Sequence, residues 1–156
     1  MPWHPPKAPL YLTALFAFLG FADAAYLTAS HYFTLPLPCS LTEGCDIVLR
    51  SRYAMIGPVP LAALGAAYYL LALFLAIFLY TQEKPDLRPA RAIWLLSGLG
   101  VLASGYLFYL QSSVIHAFCM YCLGSALTSI LLFAASSVLV GKMSRTAKAA
   151  EPAAQK

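Results

Sequence analysis

Charged residues are scarce in this chain, and its long apolar runs almost exclude them. Only 10% of the 156 residues are charged, whereas 61% are hydrophobic and the mean hydropathy is +0.73. A water-soluble domain of this size needs more polar surface, so the composition excludes one and favours a single domain in a bilayer. The net charge is +4, but most basic residues lie just outside apolar segments, an arrangement that argues against a nucleic-acid site.

Four apolar stretches are long enough to cross a membrane as helices, for which roughly 20 apolar residues are needed. They cover about residues 9–33, 58–80, 92–114 and 117–140. Inside them the only acid or base is Asp23, with His31 near one end. Glycine and alanine recur on the first three spans, and such small residues let helices approach closely in lipid. The predicted fold class is an all-α membrane protein with a four-transmembrane-helix bundle.

The basic residues predict the orientation of this bundle, because cytoplasmic loops carry an excess of lysine and arginine. Both termini are predicted to be cytoplasmic, with a membrane domain over residues 1–141 and a polar tail over 142–156. Eight basic residues then lie inside, against Arg50 and Arg52 outside: Lys7, Lys84, Arg88, Arg91, Lys142, Arg145, Lys148 and Lys156. All four cysteines face the extracytoplasmic side in this arrangement.

The first apolar stretch has an alternative interpretation as a cleaved signal peptide, because Ala22, Asp23 and Ala24 form a small-x-small triplet. Apolar cores of signal peptides span about 7 to 15 residues, whereas this stretch continues to Phe33. Cleavage would also leave three spans and place one terminus on the wrong side of the membrane. A membrane-spanning helix is therefore the favoured interpretation.

The connection over residues 34–57 is the longest between predicted spans. Pro36, Pro38, Gly44 and Gly57 favour turns in it over a continuous helix. Its middle, residues 46–55, is amphipathic and begins with Asp46, which suits a helix start. We expect a brief extracytoplasmic loop helix over those residues, lying across the outer mouth of the bundle.

Four cysteines form two pairs, and each pair has a different setting. Cys119 and Cys122 make a C-x-x-C at the outer start of the fourth predicted helix, where unpaired N–H groups and the helix dipole favour thiolate over thiol. Cys39 and Cys45 lie on the loop with turn residues, which we expect to move, and a thiolate must reach a sulfur in line to exchange. This contrast suggests that electrons pass from the loop pair to the helix pair.

Two other interpretations of the cysteines stay open. The pairs are also compatible with structural disulfides in a non-catalytic membrane scaffold. A C-x-x-C is half of a four-thiolate metal site, although the loop pair has a wider spacing than zinc knuckles use. Because packing already holds membrane helices together, a redox role is the favoured interpretation, without a metal and without nucleic acid.

The motifs around these cysteines resemble the vitamin K epoxide reductase family in its bacterial branch. The resemblance covers about the whole bundle, and its combined spacing is far more specific than a C-x-x-C alone. The matching positions are Tyr26, Leu27, Thr28, His31, Tyr32, Cys39, Gly44, Cys45, Asp46, Ser51, Gly57, Pro60, Gly65, Tyr69, Cys119 and Cys122. Members are four-helix membrane oxidoreductases that reduce a quinone with electrons drawn from thiols.

The resemblance implies a role for each cysteine. Cys39 resembles the loop cysteine that receives electrons from a thioredoxin-like partner through a mixed disulfide. Cys45 resembles its companion, which then attacks Cys119 and forms a transient bond between loop and helix. Cys122, released as a thiolate, is expected to face and reduce the quinone, which is ubiquinone, menaquinone or phylloquinone.

At other positions the sequence either matches the family pattern or departs from it. Ser51 matches a hydroxyl that caps the redox site, and Leu49 matches an apolar side chain against the quinone ring. Vertebrate members place an asparagine on the second helix and a tyrosine four residues after the C-x-x-C, where this chain has Leu61 and Ala126. These two departures argue against epoxide reduction and leave quinone reduction as the expectation.

The resemblance also implies a partner and a location. Many bacterial relatives carry a fused thioredoxin-like domain, for which this chain is too short, so we expect a separate thioredoxin-fold protein on the extracytoplasmic side. The expected location is the cytoplasmic membrane of a bacterium or archaeon. An unrelated periplasmic disulfide catalyst that also uses quinone has four helices too, but its C-x-x-C precedes the widely spaced pair, the reverse of the order here.

Proton transfer and ring contacts suggest further candidates. Asp23 lies about two turns below the outer end of the first helix, and an acid at that depth is a functional hypothesis by default, here as a proton relay to the quinone; an interhelical hydrogen bond is the alternative. His31 and His116 lie near the outer boundary and are weaker candidates. Tyr121 lies between the sulfurs of the C-x-x-C and is a candidate contact for the quinone.

Overall fold

The computed structural model describes residues 5–33, 44–82 and 86–150, with side chains up to Ala147. Its elements in chain order are α1 Lys7–Phe33, α2 Gly44–Leu49, β1 Met55–Ile56, β2 Val59–Pro60, α3 Leu61–Tyr80, α4 Arg88–Tyr109 and α5 Met120–Ala150. Helices α1, α3, α4 and α5 correspond to the four predicted spans, and the predicted fold class is confirmed. Helix α5 continues past residue 141, and the division into membrane domain and tail stays a prediction.

The four long helices form a bundle in which α1 packs mainly against α3 and α5, and α4 against the same two helices. Hydrogen bonds between polar side chains join the helices in its interior. The hydroxyl of Tyr69 on α3 lies 2.8 Å from that of Ser129 on α5, and Ser97 on α4 lies 2.9 Å from Ser136 on α5. These buried bonds fix α5 against two neighbours.

Small residues bring α1 close to α3, as the sequence predicts. Ala17, Gly20 and Ala24 are buried on one face of α1 and pack around Tyr69 and Ala72 of α3. A Cβ atom on Gly20 would overlap the Tyr69 ring. Because lipid offers no hydrophobic drive for association, this close contact supplies the packing that holds the two helices together.

The outer surface of the bundle is apolar. Many large hydrophobic side chains are exposed along the long helices, including Phe18, Phe74, Leu95, Leu102 and Leu127. Soluble monomers rarely expose apolar surface on this scale. All four long helices are long and apolar enough to cross a membrane, so the chain is a multi-pass membrane protein.

The loop helix differs from its prediction. The expected helix over residues 46–55 was wrong in its bounds, because α2 begins at Gly44 and ends at Leu49. Ser51 then adopts an extended backbone with φ −65° and ψ 155°, and its hydroxyl donates to the Val48 carbonyl at 2.7 Å. This hydrogen bond satisfies a carbonyl at the helix end and turns the chain toward a 3-10 turn over Arg52–Ala54.

A small antiparallel hairpin follows and leads into α3. Strands β1 and β2 pair Met55 with Pro60 and Ile56 with Val59. Gly57 in the turn has φ +61°, a conformation that costs glycine little and other residues more. The hairpin was not predicted, because two-residue strands give no alternating pattern in the sequence.

The chain changes helical form directly after α4. Residues Leu110–Ile115 are π-helical, and His116 leaves them in the left-handed region at φ 53°. The chain then reaches Cys119, and α5 begins at the next residue. A π-helical segment inside a helix is rare and is frequent at functional sites.

Candidate functional site

Two of the predicted site cysteines meet in a buried cluster at the α2 end of the bundle. Cys45 and Cys119 are fully buried and pack with Val48, while Tyr121 and Cys122 are partly buried beside them. Cys45 is disulfide-bonded, whereas Cys119 and Cys122 are free thiols. The fourth predicted cysteine, Cys39, lies outside the described residues.

Cys119 occupies the position just before α5, and its carbonyl accepts the N–H of Leu123 at 3.0 Å. The hydrogen bond from the Cys122 thiol lowers the pKa of Cys119 to about 7, against burial, which raises it. Backbone N–H groups of Cys122 and Tyr121 lower the pKa further, since the first N–H groups of a helix have no partner within it. Cys119 is therefore the thiolate-forming member of the pair near neutral pH.

A buried glutamine holds the backbone of Cys119 in place. The Oε1 atom of Gln111 accepts the Cys119 N–H at 2.8 Å, and the Gln111 carbonyl accepts the N–H of Ala117 at 3.2 Å. Both bonds depend on the left-handed conformation of His116, which folds the chain back over the π-helical segment. Gln111 is 4% exposed, so the segment between α4 and α5 is fixed from inside.

A cavity of about 370 Å³ opens beside the thiol pair. Leu49 and Ser51 line it from the loop side, and Cys122 and Gln111 line it near the thiols. Most of its other lining is apolar and comes from α1, α3, α4 and α5. An apolar cavity of this size with a few convergent polar groups is typical of a small-molecule site.

The predicted contacts fall into two groups by position. Cys122, Ser51 and Leu49 line the cavity, as do Leu61 and Ala126. Apolar side chains at those two positions leave this part of the wall without hydrogen-bonding groups from them. The expectation against epoxide reduction, which rests on Leu61 and Ala126, stays a prediction.

Tyr121 and Asp23 lie on the other side of the thiol pair, where α5 faces α1. The Tyr121 ring is 5.8 Å from that of Tyr26 on α1. Asp23 acts electrostatically on Cys119 and Tyr121, and its Oδ2 is shielded from solvent with no hydrogen-bond partner among the described residues. A quinone contact for these two residues stays a prediction.

Sequence reasoning missed Gln111. A polar residue inside a predicted apolar span was the available signal, but a single amide forms no motif with a characteristic spacing. Its role depends on a π-helical turn and a left-handed residue, neither of which has a recognisable pattern in the sequence.

Within the described residues, no group of three or more His, Cys, Asp or Glu side chains is placed to hold a metal ion.

The membrane-spanning helices, the apolar cavity and the Cys122 thiol at its wall define a class of membrane protein with a candidate thiol site beside an apolar pocket. The family model described as the vitamin K epoxide reductase family matches residues 11–137, which is most of the chain. The chain belongs to this family, and the resemblance drawn from the sequence is confirmed. The family consists of quinone-linked thiol oxidoreductases that generally work with thioredoxin-like partners.

Proposed function

We propose that this protein generates disulfide bonds in an extracytoplasmic thioredoxin-fold partner and delivers the electrons to a membrane quinone. The observation that supports this proposal most directly is that the two cysteines of the C-x-x-C have different surroundings. Cys119 is buried against Cys45, whereas Cys122 lines the apolar cavity. This difference supports exchange of the Cys119 sulfur with the loop and contact of the Cys122 sulfur with a lipid-soluble substrate.

Electrons enter through thiol–disulfide exchange. A thiolate of the partner attacks Cys39 in a Cys39–Cys45 disulfide, and the partner's second thiol completes its own disulfide and leaves both loop cysteines reduced. Cys45 then attacks Cys119 of a Cys119–Cys122 disulfide and releases Cys122 as a thiolate. Attack of Cys39 on Cys45 restores the loop disulfide and leaves Cys119 reduced, so two electrons have moved to the helix pair.

Quinone reduction returns the helix pair to its disulfide. The Cys122 sulfur bonds to a ring carbon of the quinone, and the Cys119 thiolate attacks that sulfur. The S–S bond forms while the carbon–sulfur bond breaks, its electron pair goes to the ring, and two protons complete the quinol. A disulfide at Cys45 together with free thiols at Cys119 and Cys122 is the state required just before this step.

Three further residues have proposed roles in this step. Leu49 packs against the ring, and Ser51 holds α2 over the site through its bond to the Val48 carbonyl. Asp23 takes up a thiol proton and passes it on, because its Oδ2 is shielded from solvent without a hydrogen-bond partner among the described residues and the carboxylate acts electrostatically on Cys119.

The proposed location is a bacterial or archaeal cytoplasmic membrane, with both termini in the cytoplasm and the cysteines outside. The excess of basic residues at the opposite end of the bundle supports this orientation. Both cysteine pairs then face a compartment in which disulfides form and persist.

The test compares Cys122→Ala and Cys122→Ser with the parent protein in membranes supplied with a reduced thioredoxin-fold protein and ubiquinone. Both variants should lose quinol formation, since neither has a second sulfur at the cavity. Trapping on a Cys45→Ala variant should capture the partner on Cys39, because no neighbouring thiol is left to resolve the mixed disulfide. Sustained quinol formation by folded Cys122→Ala protein contradicts the assigned chemistry.

A further inference from the structure

The side chain of Gln111 lies between the reactive turn and the cavity. Its Oε1 accepts the Cys119 N–H at 2.8 Å, and the same side chain lines the cavity together with Cys122. It projects from the π-helical segment that follows α4 and is 4% exposed. Gln111 thus touches both the backbone that carries the thiols and the space proposed for the quinone.

The hydrogen bond to Cys119 fixes which way the amide of Gln111 points. A backbone N–H can only donate, so the atom facing it must be the carbonyl oxygen Oε1. The Nε2 group, with two donor hydrogens, is then on the other branch of the amide. Donors of a buried amide need acceptors, because burying one without a hydrogen bond is unfavourable.

Several other polar side chains of the cavity form bonds within the protein. The hydroxyl of Ser51 donates to the Val48 carbonyl at 2.7 Å, and that of Ser30 donates to the Leu27 carbonyl at 2.9 Å. Asp46 and Arg50 pair with each other at 2.6 Å on the exposed side of α2. Of the two buried polar side chains in the described lining, Ser30 and Gln111, the Gln111 amide is the one that carries two N–H donors.

We propose that Gln111 contacts the quinone directly, with Nε2 donating a hydrogen bond to a ring carbonyl oxygen while Oε1 holds Cys119. This inference rests on the proposed quinone reduction. Negative charge grows on that oxygen as electrons enter the ring, so the bond strengthens along the reaction. One amide therefore sets the distance between the accepting oxygen and the attacking sulfur of Cys122.

The test uses infrared spectroscopy of a carbonyl-labelled ubiquinone analogue bound to Cys122→Ser protein, which holds the quinone without turnover. A donated hydrogen bond lowers the carbonyl stretching frequency. Gln111→Met keeps the side-chain length but removes both polar atoms, and it should return the band toward its position in apolar solvent. In proteins with Cys122 intact, the same substitution should raise the quinone KM about tenfold, as loss of one hydrogen bond implies.

Gln111→Glu provides the second variant in case Gln111→Met does not fold. At alkaline pH the carboxylate still accepts the Cys119 N–H but has no hydrogen to donate. The carbonyl stretching band of the quinone should therefore again move toward its position in apolar solvent. Ser112→Ala, at an exposed neighbouring hydroxyl that bonds to the Tyr109 carbonyl, is the control and should leave the band unchanged.

The outcomes separate this inference from the proposed function. A band equally shifted with and without the Gln111 amide overturns the contact, while quinone reduction by the parent protein stands. A parent protein that neither binds nor reduces the quinone overturns the proposed function and this inference with it.

Discussion

Gly44 and Phe118, the residues just before Cys45 and Cys119, touch through their backbones. A Cβ atom on Gly44 would lie 2.6 Å from the Phe118 carbonyl oxygen. Only a residue without a side chain allows this approach, and it brings the N-terminus of α2 against the start of α5. The contact is what seats one buried sulfur beside the other.

Gly44→Ala should therefore slow electron transfer from the loop pair to the helix pair. The added methyl group pushes α2 away from Phe118, while the cavity and the Cys119–Cys122 pair remain. We expect turnover with a thioredoxin-fold donor to fall about tenfold or more, in line with the cost of a small displacement of reacting groups. Quinone reduction after direct chemical reduction of the C-x-x-C should be nearly unchanged.

Gly105→Ala is the matched control for this substitution, because a Cβ atom there meets nothing within 4 Å. It should leave both rates unchanged. Equal loss of the two rates in Gly44→Ala would mean that the contact supports the whole fold and not the exchange step.

The titration of Cys119 should depend on its neighbour in the C-x-x-C. The hydrogen bond from Cys122 is the largest cause of the lowered pKa of Cys119, so the thiolate is present above about pH 7 and is lost as the pH falls through that value. Cys122→Ser keeps a hydroxyl donor, whereas Cys122→Ala removes it. We expect a pKa at least about one unit higher in the alanine variant, where a donor worth about 1.4 kcal/mol has been removed.

Ultraviolet absorbance of the thiolate measures this titration in both variants, in which Cys119 is the one remaining free thiol within the described residues. Matching midpoints for the serine and alanine variants would exclude the hydrogen bond as the cause.

Leu49→Ala should weaken quinone binding without stopping the chemistry. Leu49 lines the cavity and packs against the cysteine cluster, and an apolar contact of this kind is worth about 1 to 3 kcal/mol. We expect the quinone KM to rise about tenfold or more. Ile47→Ala on the same helix removes a side chain that is 56% exposed and should have no such effect, so similar KM values in the two variants would remove Leu49 from the site.

Asp23→Asn should slow quinone reduction by removing the proton acceptor beside the thiols. The side chain keeps its shape but loses its basic carboxylate, and positioned acid–base groups contribute about 100-fold or more to such steps. We expect kcat to fall by about that factor with a nearly constant KM. Asp86→Asn, at an acid before α4 that accepts the Arg88 N–H and does not line the cavity, is the control. An unchanged kcat in Asp23→Asn would assign Asp23 to packing alone.

The sequence predicted the parts of the molecule that depend on local signals. Hydropathy located the long helices, and small residues such as Gly20 predicted close helix packing without indicating which helices meet. The spacing of Cys119 and Cys122 predicted a reactive turn at a helix start, and the position of Cys119 just before α5 agrees with it.

Features that depend on tertiary contacts were not predicted. The bond from the Cys119 N–H to Gln111 requires a π-helical turn and the left-handed His116, and neither is favoured by local sequence. At the early end of α2, both the hydroxyl and the backbone N–H of Ser51 donate to the Val48 carbonyl. The cavity itself is lined by residues of five helices, so no single segment of the sequence predicts it.

The most direct test of the central claim is a single anaerobic turnover. Protein reduced at Cys119 and Cys122 is mixed with an excess of ubiquinone, quinol is measured by absorbance, and free thiols are then alkylated and mapped by mass spectrometry. The account predicts one quinol per chain and a new disulfide between Cys119 and Cys122. Quinol formed while both of these thiols remain open to alkylation would contradict it.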